Sequence, residues 1–242
     1  MLFGGYNKSL FGTRKIDERT KDIPLEGSLV AATYILTYEK TFSTPSFSKS
    51  LPAAYLVRWY NEGRLRFEDG KFAFNVKPDP KEKPEKKYLF LFKEAAGEDL
   101  VISSVEDVKR AFYSNFKKVP NSDELFAAQK DWFKKRGYIQ KEGLIVPTLN
   151  ETGAKDARGL ISLRNYLKDI KDGKDTITAG DGKVGEYVVY AILFGFDDLF
   201  VESVRTVLPK ELIEVYDAAL VLAEAGYDAH YEATDGLEGG ED

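Results

Sequence analysis

The hydrophobic residues between Ser28 and Phe74 change their spacing once along the chain. At first they recur every three or four positions, which predicts two short amphipathic helices, the first one capped by Ser28. After Gly63 apolar and polar residues alternate on both sides of Glu68-Asp69-Gly70, which predicts a β-hairpin with an Asp-Gly turn. Helix, helix, hairpin is the order of a winged helix, so residues 24–98 are predicted to form a winged-helix-like unit.

The same order of elements recurs, more weakly, in residues 99–149. Ser104 is the expected cap of the first helix, and either Asn121 or Ser122 is the expected cap of the second. A shorter hairpin is expected around Lys141-Glu142-Gly143. Because the order occurs twice, the sequence predicts a second winged-helix-like unit here.

The composition and residue spacing of the remaining segments predict the structure of each. Residues 77–87 are rich in lysine and proline and predict an exposed flexible loop, and residues 88–92 predict a strand that returns to the first hairpin. Residues 1–23 predict a flexible arm, residues 150–226 a helical region, and residues 227–242 an acidic disordered tail. The predicted fold class is therefore α+β, with tandem winged-helix-like units followed by a C-terminal helical bundle.

The amino-acid composition excludes several kinds of functional site but says less about the fold. The chain has no cysteine, which excludes disulfides and thiolate metal sites and fits a cytoplasmic protein. His230 is the single histidine and is expected to be exposed in the tail, so a histidine-based triad or a two-histidine metal site is not predicted. Gly180–Gly185 spells G-x-G-x-x-G, but no strand pattern precedes it, so it predicts a loop between helices. We therefore predict no catalytic residue, no cofactor and no metal.

The chain is also similar to a known family, through short matches spread from about Pro24 to Leu208. The matching segments are Ser28–Tyr34, Pro52-Ala53-Ala54, Gly63–Arg66, Trp132–Ile139, Arg158-Gly159, Asn165–Ile170, Glu186–Ala191 and Phe194-Gly195. These resemble the cytosolic region of the predicted bacterial membrane proteins of unknown function that are numbered 2207. That family usually carries an apolar membrane hairpin after its second winged unit, whereas residues 144–155 here are polar and short. The resemblance implies membrane association only through segments that this chain lacks.

The leading functional hypothesis is a non-catalytic protein-interaction or regulatory module, with an unidentified protein as partner. The alternative is a winged-helix regulator that binds DNA through basic side chains, although the net charge of −5 does not favour a polyanion. An enzyme would instead be indicated by a deep pocket with convergent carboxylates. The candidate contact residues for a protein or a nucleic acid are Arg58, Arg64, Arg66, Lys83, Lys86, Lys87, Lys134, Lys135, Arg136, Tyr187 and Tyr190.

Overall fold

Helices make up most of the chain that the structure describes. This computed structural model describes residues 16–38, 44–75, 80–141, 148–178, 180–196 and 198–238. The helices are α1 (Leu29–Tyr38), α2 (Thr44–Asn61), α3 (Lys83–Ala96), α4 (Val105–Ser114), α5 (Ser122–Lys135), α6 (Glu151–Lys171), α7 (Val184–Leu193), α8 (Asp198–Val204) and α9 (Lys210–Glu238). The strands are β1 (Leu65–Glu68), β2 (Lys71–Phe74), β3 (Val101–Ile102), β4 (Ile139–Lys141) and β5 (Thr148–Leu149). Two short 3-10 turns occupy Leu25–Gly27 and Phe116–Lys118.

The first hairpin supplies two strands of a small antiparallel sheet with the order β1-β2-β3. Its turn residues Asp69 and Gly70 both have positive φ angles, 50° and 76°, which is the conformation that a two-residue hairpin turn requires. Strands β4 and β5 form a separate pair, with Ile139 opposite Leu149. A mostly helical chain with antiparallel strands confirms the predicted α+β class.

Helix α2 lies at the centre of the molecule. Its residues from Leu51 to Val57 are all buried, as expected of a helix whose apolar residues surround it on every side. Helices α7 and α9, from the end of the chain, pack against α2, and α9 also packs along α4. The C-terminal helices therefore complete the core around α2.

The sequence-based prediction for residues 83–92 is wrong, because these residues belong to helix α3. Tyr88, Leu89, Leu91 and Phe92 are buried at helical spacing, and Ala95 continues the same face. The run of apolar residues at 88–92 suggested a strand. In the structure these apolar side chains instead form the buried face of a helix.

The acidic tail was also predicted wrongly over residues 227–238, which continue helix α9. Ala225, Ala229 and Ala233 recur every fourth residue and are buried, so small side chains give this helix an inward face despite its carboxylates. His230 is consequently half-buried rather than exposed, and its Nδ1 atom is buried without a hydrogen-bond partner among the described residues. Residues 239–242 lie outside the described chain.

The described part of the predicted N-terminal arm, residues 16–23, lies against helix α6. The Asn165 side chain donates to the carbonyl oxygen of Ile16 at 2.9 Å, and the Arg19 guanidinium contacts Asp169 at 2.7 Å. These contacts hold the segment to the body of the protein. Among the residues that the structure describes, no helix combines the length and apolar character needed to cross a bilayer.

Candidate functional site

A polar cleft of about 390 Å³ opens between the Leu25–Gly27 turn, helix α2 and the start of α3. Helix α5 and the first turn of α7 close its other sides. Of the residues that the structure describes, equal numbers of acidic and basic ones line it. The acidic ones are Glu26, Glu62, Glu82, Glu85, Asp131 and Glu186, and the basic ones are Arg58, Arg64, Lys81, Lys83, Lys135 and Arg136. We call this site the charged cleft.

Glu82 occupies the wall of the cleft at the N-terminus of α3. It accepts hydrogen bonds from the Ser28 hydroxyl and from the Tyr55 hydroxyl, the latter at 2.8 Å. Burial raises the pKa of the Glu82 carboxyl, and these two hydrogen bonds oppose that shift because they favour the ionised form. The Ser28 oxygen also accepts from the amide of Ala31 at 3.0 Å, so the predicted cap of α1 is confirmed and is tied to the cleft.

Glu85 is buried one turn further along α3. The indole N–H of Trp59 donates to one carboxylate oxygen at 2.9 Å, and the backbone N–H of Lys81 donates to the other at 2.8 Å. A buried carboxylate needs such donors because it has left water. Glu85 therefore fixes the start of α3 onto the side of α2.

Arg58 is a third anchor on the cleft wall, and its side chain is only 13% exposed. Its guanidinium donates to the carbonyl oxygen of Gly27 at 2.6 Å and to the carboxylate of Glu186 at 2.9 Å. One side chain thus joins α2, the turn before α1 and the first turn of α7.

The rim of the cleft carries further charges on helices α3 and α5. The Arg136 guanidinium stacks 3.9 Å from the centre of the Trp132 ring and pairs with Glu26 at 2.5 Å. Lys135 pairs with Asp131 at 2.7 Å, and Lys83 is exposed at the mouth of the cleft. The rim is therefore polar and accessible, while the wall is fixed.

The structure brings together five of the nine basic residues that the sequence predicted as contacts. The residues that line the charged cleft are Arg58, Arg64, Lys83, Lys135 and Arg136. The other four lie outside it: Arg66, Lys86, Lys87 and Lys134.

Several of these cations are matched by carboxylates, which weakens the argument for DNA contact. Arg64 pairs with Glu62 at 2.8 Å, and Lys87 pairs with Glu124 at 2.5 Å. Affinity for a duplex comes largely from cations that neutralise phosphates, and a cation paired with a carboxylate contributes less net positive charge to such a face.

Tyr187 and Tyr190 are not contact residues, because both are completely buried in α7. The Tyr187 hydroxyl donates to the carbonyl oxygen of Lys21 at 3.1 Å, inside the molecule. Burial raises the pKa of both hydroxyls, as expected for tyrosines without water around them. The tyrosine spacing that suggested a surface belongs to the core.

The carboxylates that build the site, Glu82, Glu85 and Glu186, were not among the residues predicted from the sequence. A signal was present in Pro84 and Glu85, since proline and glutamate are favoured in the first turn of a helix. The lysines around them led to the prediction of a flexible loop.

Gly180–Gly185 forms the turn into α7, and described residues 174–178, which precede it, contain no strand.

Comparisons with family models, curated proteins and solved structures found no match for this chain. The similarity to family 2207 thus stays a prediction. In the described ranges no three histidine or carboxylate side chains are grouped as they would be to hold a metal ion.

Proposed function

We propose that this chain is a non-catalytic binding module for a small ligand that carries both a positive and a negative charge. The charged cleft supports the proposal, because about 390 Å³ lies within the range of small-molecule sites. Its described lining carries six acidic and six basic residues, so a ligand with charges of both signs is complementary to it. A free amino acid or a dipeptide has this chemistry.

The wall of the cleft is organised before any ligand arrives. The hydrogen bonds of Arg58, Glu82 and Glu85 join four segments of the chain: residues 27–28, α2, the start of α3 and the first turn of α7. A rigid wall lowers the entropy that binding costs, because few side chains need to be ordered. Rim residues such as Lys83 are free to adjust to the ligand since they are exposed.

Binding accounts for the convergent carboxylates better than catalysis does. Each oxygen of Glu82 and of Glu85 accepts a hydrogen bond from the protein, whereas a general acid or base has to exchange its proton with a substrate. These contacts support a structural role for both carboxylates in the wall of the cleft.

We also propose the finer reading of the fold, in which residues 24–98 and 99–149 are winged-helix-like units. Both segments contain two helices followed by a pair of antiparallel strands, although α3 follows the pair in the first segment. Residues 142 and 143 of the predicted second turn lie outside the described residues. Strand β3, from the start of the second segment, adds a third strand to the first hairpin. We also propose a cytoplasmic location, which fits the absence of cysteine, and on the resemblance alone a position at the cytosolic face of the membrane for a full-length relative.

The ligand proposal is tested by NMR with the dipeptide lysyl-glutamate as the probe. The chain has two tryptophans, and Trp132 lines the cleft, so its indole N–H signal is expected to shift on titration. Acetyl-lysine amide and acetyl-glutamate amide, which carry one charge each, are expected to bind more weakly.

Lys83 and Lys86 provide a matched pair of variants, since both are exposed in the first turn of α3 and only Lys83 lines the cleft. Lys83→Ala is expected to weaken dipeptide binding about two- to fivefold, as for an exposed ion pair, and Lys86→Ala to leave it unchanged. Equal effects of the two variants, or no shift of the Trp132 signal with the dipeptide, would overturn the proposal.

A further inference from the structure

Strand β1 is an outer strand of the three-stranded sheet. Strand β2 pairs with it on one side, and the order β1-β2-β3 leaves its other side at the edge. An edge strand presents backbone donors and acceptors that another extended segment can pair with.

The hydrogen-bond pattern identifies which peptide groups face outward. The carbonyl oxygen of Arg64 accepts from the N–H of Asn75 at 3.0 Å, whereas the N–H of Phe74 turns to Leu100 on the far side of β2. Because inward and outward groups alternate along an antiparallel strand, Leu65 and Phe67 direct their N–H and C=O groups to the free edge. Within the described ranges no backbone group bonds to them.

A groove of about 650 Å³ runs along this edge. Leu65 and Phe67 form one side of it, and the far wall consists of the turn into α7 and the connection from α8 to α9, with Val184, Val207 and Leu212 as apolar contacts. An extended chain rises about 3.3 Å per residue, so a peptide of about six residues follows the strand and slightly overruns it.

The charges around the groove favour a basic occupant. Among the described residues that line it, the acidic ones are Glu68, Asp181 and Glu211 and the basic one is Arg66, which already lies 3.4 Å from Glu68. The described part of the lining therefore has an excess of two negative charges.

We propose that this groove binds an extended segment of a partner protein, with alternating apolar and basic residues, as a fourth strand on β1. The apolar residues pack on the groove wall, and the basic residues lie near Asp181 and Glu211. The backbone of the segment pairs with the outward groups of Leu65 and Phe67, which is the recognition mode of strand addition. This site is separate from the charged cleft, and the inference does not depend on the ligand proposed there.

The probe is the hexapeptide acetyl-Lys-Val-Lys-Val-Lys-Val-amide, and the readout is amide hydrogen exchange followed by NMR. At saturation the amides of Leu65 and Phe67 are expected to exchange at least about tenfold more slowly, because exchange then requires the peptide to leave. The amides of Arg66 and Ala73, which already pair within the hairpin, serve as internal controls and are expected to change little. Peptide binding without this selective protection, or no binding, would refute strand addition.

Two comparisons test the charge and strand requirements. The peptide with glutamate in place of lysine, and the lysine peptide with proline at its fourth position, are both expected to lose binding. Glu211→Gln is expected to weaken the lysine peptide about two- to fivefold, whereas Glu214→Gln on the same helix, outside the groove, is expected to leave binding unchanged. Protection of Leu65 and Phe67 that rises with protein concentration without any peptide would show that a second copy occupies the edge, and would overturn the proposed partner.

Discussion

Replacing Arg58 by methionine tests whether the wall of the charged cleft holds the N-terminal and C-terminal parts of the chain together. Methionine keeps much of the apolar stem of arginine, so the change removes mainly the hydrogen bonds to Gly27 and Glu186. Hydrogen bonds that involve a charged group contribute about 1.5–3 kcal/mol each. Glu186 is 31% exposed and regains some water when its partner is lost.

We therefore expect Arg58→Met to lower the free energy of unfolding by roughly 2–3 kcal/mol, at or below the low end of the roughly 3–6 kcal/mol sum for two such bonds, because Glu186 regains water. For a chain of 242 residues this corresponds to a fall in Tm of about 4–12 °C. Urea unfolding followed by circular dichroism measures the change. A loss below about 0.5 kcal/mol would show that Arg58 contributes no more than an ordinary surface residue.

A double-mutant cycle with Glu186→Gln separates the pair from the loss of the Gly27 contact. We expect a coupling energy of roughly 1–2 kcal/mol between Arg58 and Glu186, because they are in direct contact and largely shielded from water. The control is the pair of Arg205 and Glu202, which is as close but more than half exposed on both sides. Since water screens that pair, no measurable coupling is expected there, and equal coupling in the two cycles would contradict the assigned role of burial.

Two further predictions concern packing and pH. In α6, Gly159→Ala is expected to leave the free energy of unfolding within about 1 kcal/mol of the wild type, since the helix propensity of alanine is offset by the tight approach of its Cβ to Pro24, at 3.3 Å. Gly153→Ala in the same helix is expected to lower it by about 1–3 kcal/mol, because the new Cβ would lie 2.8 Å from that of Tyr138; thermal unfolding in which Gly153→Ala is no more destabilising than Gly159→Ala would refute this. Burial lowers the pKa of His230, so the folded state disfavours the protonated imidazole, and stability that is complete above about pH 6.5 is expected to fall as the pH drops below that value. Unfolding curves at several pH values measure this fall, and His230→Gln is expected to reduce it; an unchanged pH dependence in that variant would exclude His230 as its source.

The local signals in the sequence predicted the first hairpin and several helix starts correctly. The turn at Asp69-Gly70 and the caps at Ser104 and Asn121 are confirmed, because each depends on the chemistry of two or three neighbouring residues. The same is true of Ser28, which caps α1 with its own hydroxyl.

The charged cleft was not predictable in the same way, because its members are far apart in sequence. Glu82 meets Ser28 across 54 positions, and Arg58 meets Glu186 across 128. Which face of α7 would be buried also depends on how it packs against α2, so the tyrosine spacing alone could not distinguish a surface from a core. The run at residues 88–92 shows a related ambiguity, since short apolar runs fit a strand or a buried helix equally well.

The charged cleft and the groove beside β1 lie on opposite sides of one wall. At the end of α2, Glu62 and Arg64 face the cleft while Asn61 and Gly63 face the groove, and at the start of α7 Glu186 and Gly185 divide in the same way. The wall is tightly packed here, because a Cβ on Gly185 would come within 2.9 Å of the Asn61 side chain.

Substitutions within this wall, including Arg58→Met, are therefore expected to perturb the charged cleft and the groove together. Their effects report on the stability of the wall. Lys83 and Glu211 lie on the outer sides of the cleft and of the groove, respectively. Their variants therefore distinguish loss of one binding site from loss of the wall that the two sites share.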